Sequence, residues 1–305
     1  MAEFSIIIIS YNRPGDTLDL LDSIARLNHR ALYLKEIILV NNASTEPYTV
    51  VESYLASRSD LPVEYLLAPG NLGVAGGRNY AVPHSSGKWM LFLDDDVVIE
   101  DPEFLSKLSI ATKHSFMEHR PLGALGVKVR YFDNRELQVT AFPHKDFEHY
   151  QHMPRFLTSY YVGCAHVLLR EAWNAAGEYP TDFFYGMEEY DLSYRLLARG
   201  YCIGYDGSAE LFHKESPLGR TPRPVQLSMM WVNKSKVAWK YLPSFYFVTT
   251  ACLWAGFYLK KSGFNLRFFF SSLRKIMRIP LSIKRTPVGA DVMNYLKAVG
   301  ARKWF

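Results

Sequence analysis

The feature that most constrains this chain is a run of five apolar residues that passes directly into three aspartates. The apolar run covers residues 89–93, and the acids are Asp94, Asp95 and Asp96. A short run that is apolar on both faces is typical of a strand buried inside a sheet. Three adjacent carboxylates cannot share that burial, because buried unpaired charges are costly and neighbouring carboxylates repel each other. We therefore expect the strand to end at Asp94 and the acids to lie beside a cation, by default a divalent metal.

The alternative for the three acids is an acidic cap on a helix that begins near Asp101. Strands and helices alternate around them. Apolar, often β-branched runs predict four strands, at residues 4–9, 36–40, 63–67 and 89–93. We expect Ser44 to cap the helix after the second strand, with Pro47 in its first turn. This alternation predicts an α/β fold with a mostly parallel sheet and helices on both faces.

Three polar clusters follow strands of this predicted sheet, at residues 10–13, 41–44 and 94–96. Ligands of parallel sheets bind outside the carboxyl ends of the strands. The topology should therefore bring the three clusters together, although they lie far apart in the sequence.

A glycine-rich loop, residues 71–79, precedes a helix expected over residues 75–84. The loop is not a G-x-G-x-x-G sequence and has no Walker lysine. It predicts a tight turn that lets the backbone pass close to a ligand. Arg78 and Asn79 then either face a diphosphate or a base, or lie on the helix surface.

A second acidic group, Glu188, Glu189 and Asp191, occupies the predicted first turn of a helix. The simple interpretation is stabilisation by the helix dipole. The aromatic run at residues 182–186 suggests another, because apolar surroundings raise the proton affinity of a carboxylate and suit a general base. Asp191 and Arg195, four residues apart, are expected to form a structural pair.

Histidines and cysteines are sparse and irregularly spaced. His213 lies alone among apolar residues and is either packed in the core or a metal ligand. His144, His149 and His152 lack metal-ligand spacing and predict a solvated loop. A strand is predicted at residues 161–169, with Cys164 as a small buried residue.

The cysteine count and the N-terminal residues bear on the cellular compartment of the protein. Three widely separated cysteines suggest reducing surroundings without a disulfide framework. Residues 1–9 lack the basic start and the long apolar core of a signal peptide. Both features favour a cytoplasmic location.

The net charge of +5 hides a strong asymmetry. Residues 217–305 contain 16 lysines and arginines and one acid, Asp291, whereas residues 1–216 carry 19 basic and 29 acidic residues. Prolines at 217, 222 and 224 mark the boundary. We therefore predict an α/β domain at residues 1–216 and a helical C-terminal region at residues 217–305.

The C-terminal region has the pattern of a membrane-surface segment. Residues 241–259 carry no charge but contain proline, threonines and many aromatics, which favours an in-plane or hairpin segment over a membrane span. One helical face is then apolar and the neighbouring face is basic, formed respectively by Leu266, Phe269, Phe270, Leu273, Ile276 and Met277, and by Arg267, Arg274 and Arg278. The alternative is a helix packed on the domain with a solvated basic face. We expect an anionic membrane as the partner and no nucleic acid, for which no recognition motif is present.

In this order, the motifs resemble those of the family 2 inverting glycosyltransferases of GT-A fold, in particular the bacterial rhamnosyl- and galactofuranosyltransferases. The resemblance covers residues 4 to about 240 and is specific as an ordered set. It is carried by residues 10–13, 40–44, 71–79, 94–96 and 186–192 and by His213.

The resemblance implies a role for each of these residues. Asp96 and His213 would bind Mn²⁺ or Mg²⁺, and Glu189 would be the catalytic base, supported by Glu188 and Asp191. The UDP- or dTDP-sugar donor would be bound by Tyr11, Arg13, Asn42, Arg78, Asp94 and Asp95. The family often has aspartate where Asn41 stands, which leaves the choice of base open, because asparagine can still pair with uracil or thymine.

The implied activity is transfer to a glycan acceptor, lipid-linked, in bacterial surface polysaccharide synthesis at the inner face of the plasma membrane. Two other functions compete with it. A nucleotidyltransferase on a similar sheet would need a cluster of lysines or arginines in the loop at residues 10–15, which is not there. A non-catalytic glycan-binding module would not need the intact Asp94–Asp96, Glu189 and His213.

Overall fold

One mixed sheet runs through residues 2–303, the part of the chain that this computed structural model describes. The predicted α/β fold with a mostly parallel sheet is confirmed. The sheet order is β3-β2-β1-β4-β8-β6-β9-β5, and β7 pairs with β9 outside this path. The nine strands are β1 (Phe4–Ser10), β2 (Leu34–Asn41), β3 (Val63–Leu67), β4 (Trp89–Asp94), β5 (Val97–Val98), β6 (Leu122–Tyr131), β7 (Arg155–Thr158), β8 (Ala165–Leu169) and β9 (Cys202–His213).

Helices connect and cover the strands and then make up most of the last eighty residues. Two short 3-10 turns accompany them, at Val82–His84 and Val139–Ala141. The helices are α1 (Pro14–Ala25), α2 (Arg30–Tyr33), α3 (Thr49–Ser57), α4 (Gly73–Ala81), α5 (Phe104–Ala111), α6 (Phe147–Tyr150), α7 (Arg170–Ala176), α8 (Glu188–Ala198), α9 (Arg223–Tyr241), α10 (Ser244–Lys261), α11 (Leu266–Ser282) and α12 (Ala290–Ala298).

The strand order places a crevice between β1 and β4. The chain moves outward from β1 to β2 and β3 and then returns to the other side of β1 as β4, all four strands being parallel. The register sets Asp94 opposite Ile9 and Asn41 opposite Ser10, so the strands end level with one another. A reversal of strand order opens a ligand crevice at the carboxyl ends. The three polar clusters meet there, as predicted.

The core explains why β4 organises the chain. Residues 89–93 are all buried, so this strand is apolar on both faces, and it ends at Asp94 as predicted. Beyond β4 the sheet continues through β8, which is antiparallel to both of its neighbours. That reversal was not visible in the sequence, because the apolar pattern of a central strand does not depend on its direction.

Several local predictions were wrong. Ser44 does not cap α3: that helix begins at Thr49 after Tyr48, and the Ser44 hydroxyl instead accepts a hydrogen bond from the amide of Asn12. Pro47 accordingly lies before the helix. The strand predicted at residues 161–169 begins only at Ala165.

The histidine-rich segment was only partly predicted. His149 and His152 are exposed, but His144 is buried and stacks on Tyr150 with 3.5 Å between ring centroids. Its Nε2 lies 3.1 Å from the carbonyl of Val299, so this histidine helps to attach the C-terminal residues to the sheet.

The last four helices pack in two different ways. Helices α9, α10 and α11 enclose a small core of their own, formed by Trp231, Val232, Tyr258, Ile276 and Ile279. Helix α12 returns to the main core, where the hydroxyl of Tyr295 donates to the carbonyl of Thr158 over 2.8 Å. Among the described helices, none is long and apolar enough to cross a membrane.

Candidate functional site

A cleft of about 590 Å³ opens at the carboxyl ends of β1, β2 and β4. This volume is typical of sites for small-molecule ligands. Of the eleven predicted site residues, eight line it: Tyr11, Arg13, Asn42, Arg78, Asp94, Asp95, Asp96 and His213. Glu188 and Glu189 do not line the cleft but lie next to Arg78, which does, and Asp191 lies further along α8.

The three aspartates have different surroundings. Asp94 remains open, with 41% of its side chain exposed, whereas Asp95 and Asp96 are buried. Asp95 accepts hydrogen bonds from the hydroxyl of Ser10 over 2.8 Å and from the amide of Tyr11 over 3.2 Å. Asp95 therefore holds the loop after β1. Asp96 holds the segment after β9, because its Oδ2 accepts from the amide of Ser216 over 2.9 Å, and Asp94 is the most open of the three.

Asp94, Asp96 and His213 form a candidate metal centre. One ligand atom of each lies within 4.8 Å of the others. Two carboxylates and an imidazole are a donor set that suits Mn²⁺, and the carboxylates also suit Mg²⁺. The sequence suggested Asp96 and His213, and the structure adds Asp94.

His213 is held by partners on both ring nitrogens. Its Nδ1 donates to the amide oxygen of Gln138 over 3.1 Å, and its Nε2 lies 3.1 Å from Asp96 Oδ1. Burial would lower the pKa of His213, but the hydrogen bonds and charges of Asp96 and Cys164 together outweigh it and raise the pKa to about 11. A metal ion would replace the Nε2 proton, and Gln138 would orient the ligating ring. Gln138 had no signal in the sequence, because it comes from a loop beyond β6.

Arg13 neutralises the buried acids and fastens a loop above them. Its Nη1 lies 2.8 Å from Asp95 and 3.1 Å from Asp96. Its Nε and Nη2 donate to the backbone carbonyls of Leu218 and Ser216 over 2.7 and 3.1 Å. The segment after β9 is thus attached to the loop after β1, a contact that the sequence pattern did not indicate.

The glycine-rich loop makes the predicted tight turn. Gly73 has φ +68, and a Cβ there would lie 2.8 Å from the carbonyl oxygen of Phe184, so only glycine fits without strain. Asn42 holds the turn, because its Oδ1 accepts from the amide of Leu72 over 3.0 Å. Asn41 is engaged as well: its Nδ2 donates to the hydroxyl of Tyr65 and its Oδ1 accepts from the amide of Ser44.

Asn79 does not face the cleft, and it is not plain helix surface either. It exchanges two hydrogen bonds, of 2.8 and 3.0 Å, with the backbone of Tyr179. Both interpretations considered for Asn79 were therefore wrong. The residue joins α4 to the segment before α8, a contact between distant parts of the chain.

Arg78 is a buried hub between the two acidic groups. It is 3% exposed, its Nη2 donates to the carbonyl of Gly163 over 2.9 Å, and the same nitrogen lies 3.5 Å from Asp94. Its Nη1 lies 3.3 Å from Glu188 and 3.7 Å from Glu189. The surface position considered for Arg78 was wrong. One guanidinium instead connects the candidate metal centre with the acids of α8.

Glu188 and Glu189 differ in accessibility. The side chain of Glu188 is 2% exposed and that of Glu189 is 14% exposed. Burial, together with the charge of Glu189, raises the pKa of Glu188 well above its ordinary value, although Arg78 acts in the opposite direction. Glu189 is thus the more accessible of the two carboxylates.

Asp191 connects α8 to α9 through hydrogen bonds and an ion pair. It accepts from Arg195 Nε over 2.9 Å, as predicted for this pair, and also from the hydroxyl of Tyr241 over 2.9 Å. Lys240 is a third partner. All of its contacts are within the protein framework.

The turn before Glu188 is held by a residue that sequence analysis missed. Gly186 and Met187 both have positive φ, at 75° and 76°. The buried side-chain amide of Asn233 on α9 donates to the carbonyls of Tyr185 and Gly186, each over 3.0 Å. Helix α9 therefore positions the start of α8 and its two glutamates.

Asn233→Ala is expected to lower the free energy of unfolding by about 1–3 kcal/mol, because two carbonyls lose their donor in a buried place. Urea denaturation measures this change. Asn174→Ala, at an exposed asparagine, is the matched control and should stay within about 0.5 kcal/mol of wild type. Equal stability of the two variants would contradict the role assigned to Asn233.

Comparison with known proteins agrees with this geometry. The family model described as glycosyl transferase family 2 matches residues 5–175, more than half of the chain. An uncharacterised glycosyltransferase of Haemophilus influenzae is 37% identical over 92 residues, which is 30% of this chain and 29% of that protein. The poly(ribitol-phosphate) beta-N-acetylglucosaminyltransferase TarS of Staphylococcus aureus is 25% identical over 144 residues, 47% of this chain and 23% of TarS. This chain thus covers less than a third of either relative.

Solved structures show the same fold. Residues 1–349 of TarS in complex with UDP-GlcNAc match with a TM-score of 0.62 at 14% identity, over 91% of this chain and 81% of that one. GalNAc-T7 with UDP, GalNAc and Mn²⁺ matches with a TM-score of 0.67 at 12% identity, over 98% of this chain and 57% of that one. The fold is that of the GT-A glycosyltransferases.

Proposed function

This chain belongs to glycosyl transferase family 2, and we propose that it is a metal-dependent, inverting hexosyltransferase that uses a UDP- or dTDP-sugar. The main support is that a candidate metal centre lines the cleft and a candidate base lies beside it, against Arg78. Arg78 joins the two, because it lies 3.5 Å from Asp94 and 3.7 Å from Glu189. The acceptor hydroxyl and the donor sugar would meet beside this guanidinium.

In this proposal Glu189 is the general base. Its carboxylate accepts the proton of the acceptor hydroxyl while that oxygen attacks the anomeric carbon from the face opposite the departing nucleotide. Glu189 is preferred over Glu188 because a base must be reachable, and Glu188 is enclosed, with 2% of its side chain exposed against 14% for Glu189. Glu188 and Asp191 are supporting residues that keep α8 in place.

Asp94, Asp96 and His213 would hold Mn²⁺ or Mg²⁺. When bound, the ion supplies charge stabilisation for the departing diphosphate. The solved GalNAc-T7 structure contains Mn²⁺ and UDP on the same fold, which favours this combination. Asp95 and Arg13 shape the loop after β1. Tyr11 and Asn42 line the part of the cleft that is proposed to hold the uracil or thymine of the donor.

The proposed acceptor is a lipid-linked glycan of a bacterial surface polysaccharide, reached from the cytoplasmic side of the plasma membrane. TarS, by its name, acts on poly(ribitol-phosphate), which is a polymeric acceptor. The strong positive charge of residues 217–305 favours a peripheral position on an anionic membrane. Family membership and the intact acidic groups argue against a nucleotidyltransferase and against a non-catalytic module.

A thermal-shift screen of UDP- and dTDP-sugars with Mn²⁺ or Mg²⁺ tests the donor and the metal together. The correct donor at a hundred times its Kd should stabilise the folded protein by about 2.7 kcal/mol. Asp96→Asn should abolish the metal-dependent part of the shift, whereas Asp133→Asn, at an exposed aspartate, should leave it unchanged. A shift of equal size without any divalent cation would contradict the proposed metal centre.

A further inference from the structure

Exposed apolar side chains concentrate on two consecutive helices and the turn between them. Nine of the seventeen large hydrophobic residues that are exposed in the described part of the chain lie between positions 245 and 281. They are Phe245, Val248, Leu253, Phe257, Phe264, Leu266, Phe270, Met277 and Leu281. Exposed apolar residues gathered in one place mark an interaction surface more often than a plain surface.

Helix α11 shows that this exposure does not arise from incomplete packing. Its side toward α9 and α10 is filled, since Ile276 and Ile279 are buried and Phe269 and Leu273 pack against them. At about 100° per residue, Leu266, Phe270, Met277 and Leu281 fall on a separate strip that faces away from this contact. The apolar face predicted from the sequence is thus divided, and only part of it is used within the protein.

A basic strip borders the exposed apolar strip. Arg267, Arg274 and Arg278 are exposed and follow next around the helix. Lys260 and Lys261, at the end of α10, lie beside the turn that carries Phe264. No aspartate or glutamate occurs between residues 241 and 290, so these cations have no acid on their own helices to pair with.

We propose that this surface binds a lipid bilayer that contains anionic headgroups. The lipid face is defined as the exposed side of α11 and the turn before it: Lys260, Lys261, Phe264, Leu266, Arg267, Phe270, Arg274, Met277, Arg278 and Leu281. Its apolar side chains enter the boundary between headgroups and acyl chains, and its cations lie at the level of the lipid phosphates.

Charge favours the bilayer over a second copy of this chain as the occupant. Two lipid faces brought together across a twofold axis would set ten cations against each other without any acid between them. Anionic phosphates supply the opposite charge, at a gain of about fivefold in affinity per basic residue near the surface. The purpose of the lipid face, which is to bring a lipid-linked acceptor to the cleft, depends on the proposed function, whereas lipid binding itself does not.

Flotation of the full chain with vesicles of phosphatidylcholine, with and without phosphatidylglycerol, tests the lipid face. Wild type should float with the anionic vesicles and lose that binding in high salt. The double variant Phe270→Asp and Met277→Asp should bind at least tenfold more weakly. Its matched control, Val50→Asp with Ile110→Asp, removes apolar residues that are exposed to a similar degree (Ile110 59% and Phe270 60%) and should float as wild type does.

A second pair of variants isolates the charge. Arg267→Glu, Arg274→Glu and Arg278→Glu together should weaken binding more than tenfold, whereas Lys35→Glu, Lys88→Glu and Lys145→Glu change the net charge equally at exposed positions elsewhere and should not. Thermal unfolding of each variant verifies that it is folded. No flotation of wild type, equal flotation of all variants, or a wild-type dimer in solution that Phe270→Asp dissociates would each overturn the proposal.

Catalysis is separated from lipid binding by Glu189→Gln, which should float as wild type does. Flotation of wild type without transfer from any nucleotide sugar would remove the proposed function and leave the lipid face. Transfer to a water-soluble acceptor without flotation would support the proposed function and remove the lipid face.

Discussion

Glu189→Gln is expected to lower the kcat of sugar transfer by a factor of about 10²–10⁴. Glutamine keeps the size of the side chain beside Arg78 but cannot accept the proton of the acceptor hydroxyl. Binding of the donor should be retained, because Asp94, Asp96 and His213 are untouched. Initial rates with the identified donor measure the loss, and a thermal shift with donor and metal verifies donor binding.

Glu188→Gln is the matched control for this prediction. Glu188 is enclosed and lies against Arg78, so an acceptor hydroxyl reaches it less easily than Glu189. We expect a much smaller loss of kcat than for Glu189→Gln. If Glu188→Gln were the more damaging change, the base would be Glu188 and the assignment to Glu189 would be wrong.

Arg78→Met is expected to lower the free energy of unfolding by about 3–5 kcal/mol. Methionine fills most of the space but removes the cation that faces Glu188, Glu189 and Asp94. Of these, Glu188 would be left as an enclosed acid without its cation. Urea denaturation at neutral pH measures the loss.

The pH dependence gives this prediction a second readout. Without Arg78, the folded-state pKa of Glu188 rises further above its unfolded value. The added penalty therefore applies above the folded-state pKa that Glu188 has in wild type, which is itself raised, and disappears as pH falls below it. The stability difference between variant and wild type should thus shrink in acid. Arg58→Met, which breaks an exposed pair with Asp60, should cost at most about 1 kcal/mol at any pH.

The carboxyl edge of the sheet was predictable because the strands and the acids that follow them can each be recognised from residues that are neighbours in the chain. Residues 89–93 showed a strand buried on both faces, and the acids after it could not be buried unpaired. The α/β alternation then implied that the ends of parallel strands would meet. The cap at Ser44 failed because a tertiary contact with Asn12 competed for the same hydroxyl.

The roles within the candidate site were less predictable. Three adjacent aspartates look equivalent in sequence, yet Asp95 holds the loop after β1 whereas Asp94 and Asp96 lie close to His213. Arg78 looked like a helix-surface residue or a phosphate ligand, and it proved to be a buried hub. Such differences depend on which side chains approach from other elements.

The sequence by itself determined the α/β class, the acidic edge after β4, the acidic start of α8 and the charge contrast between the two parts of the chain. These follow from burial, periodicity and charge, which act between residues that are close in the chain. Only the tertiary structure decided that Asp94 joins Asp96 and His213, that Arg78 connects this centre to Glu189, and that Asn233 holds the turn before it. The physical reason is that hydrogen bonds and ion pairs act over a few ångströms, and these partners come within that range only after the sheet and the helices have packed. The acids that ended the buried strand thus became one half of a site whose other half is more than ninety residues away.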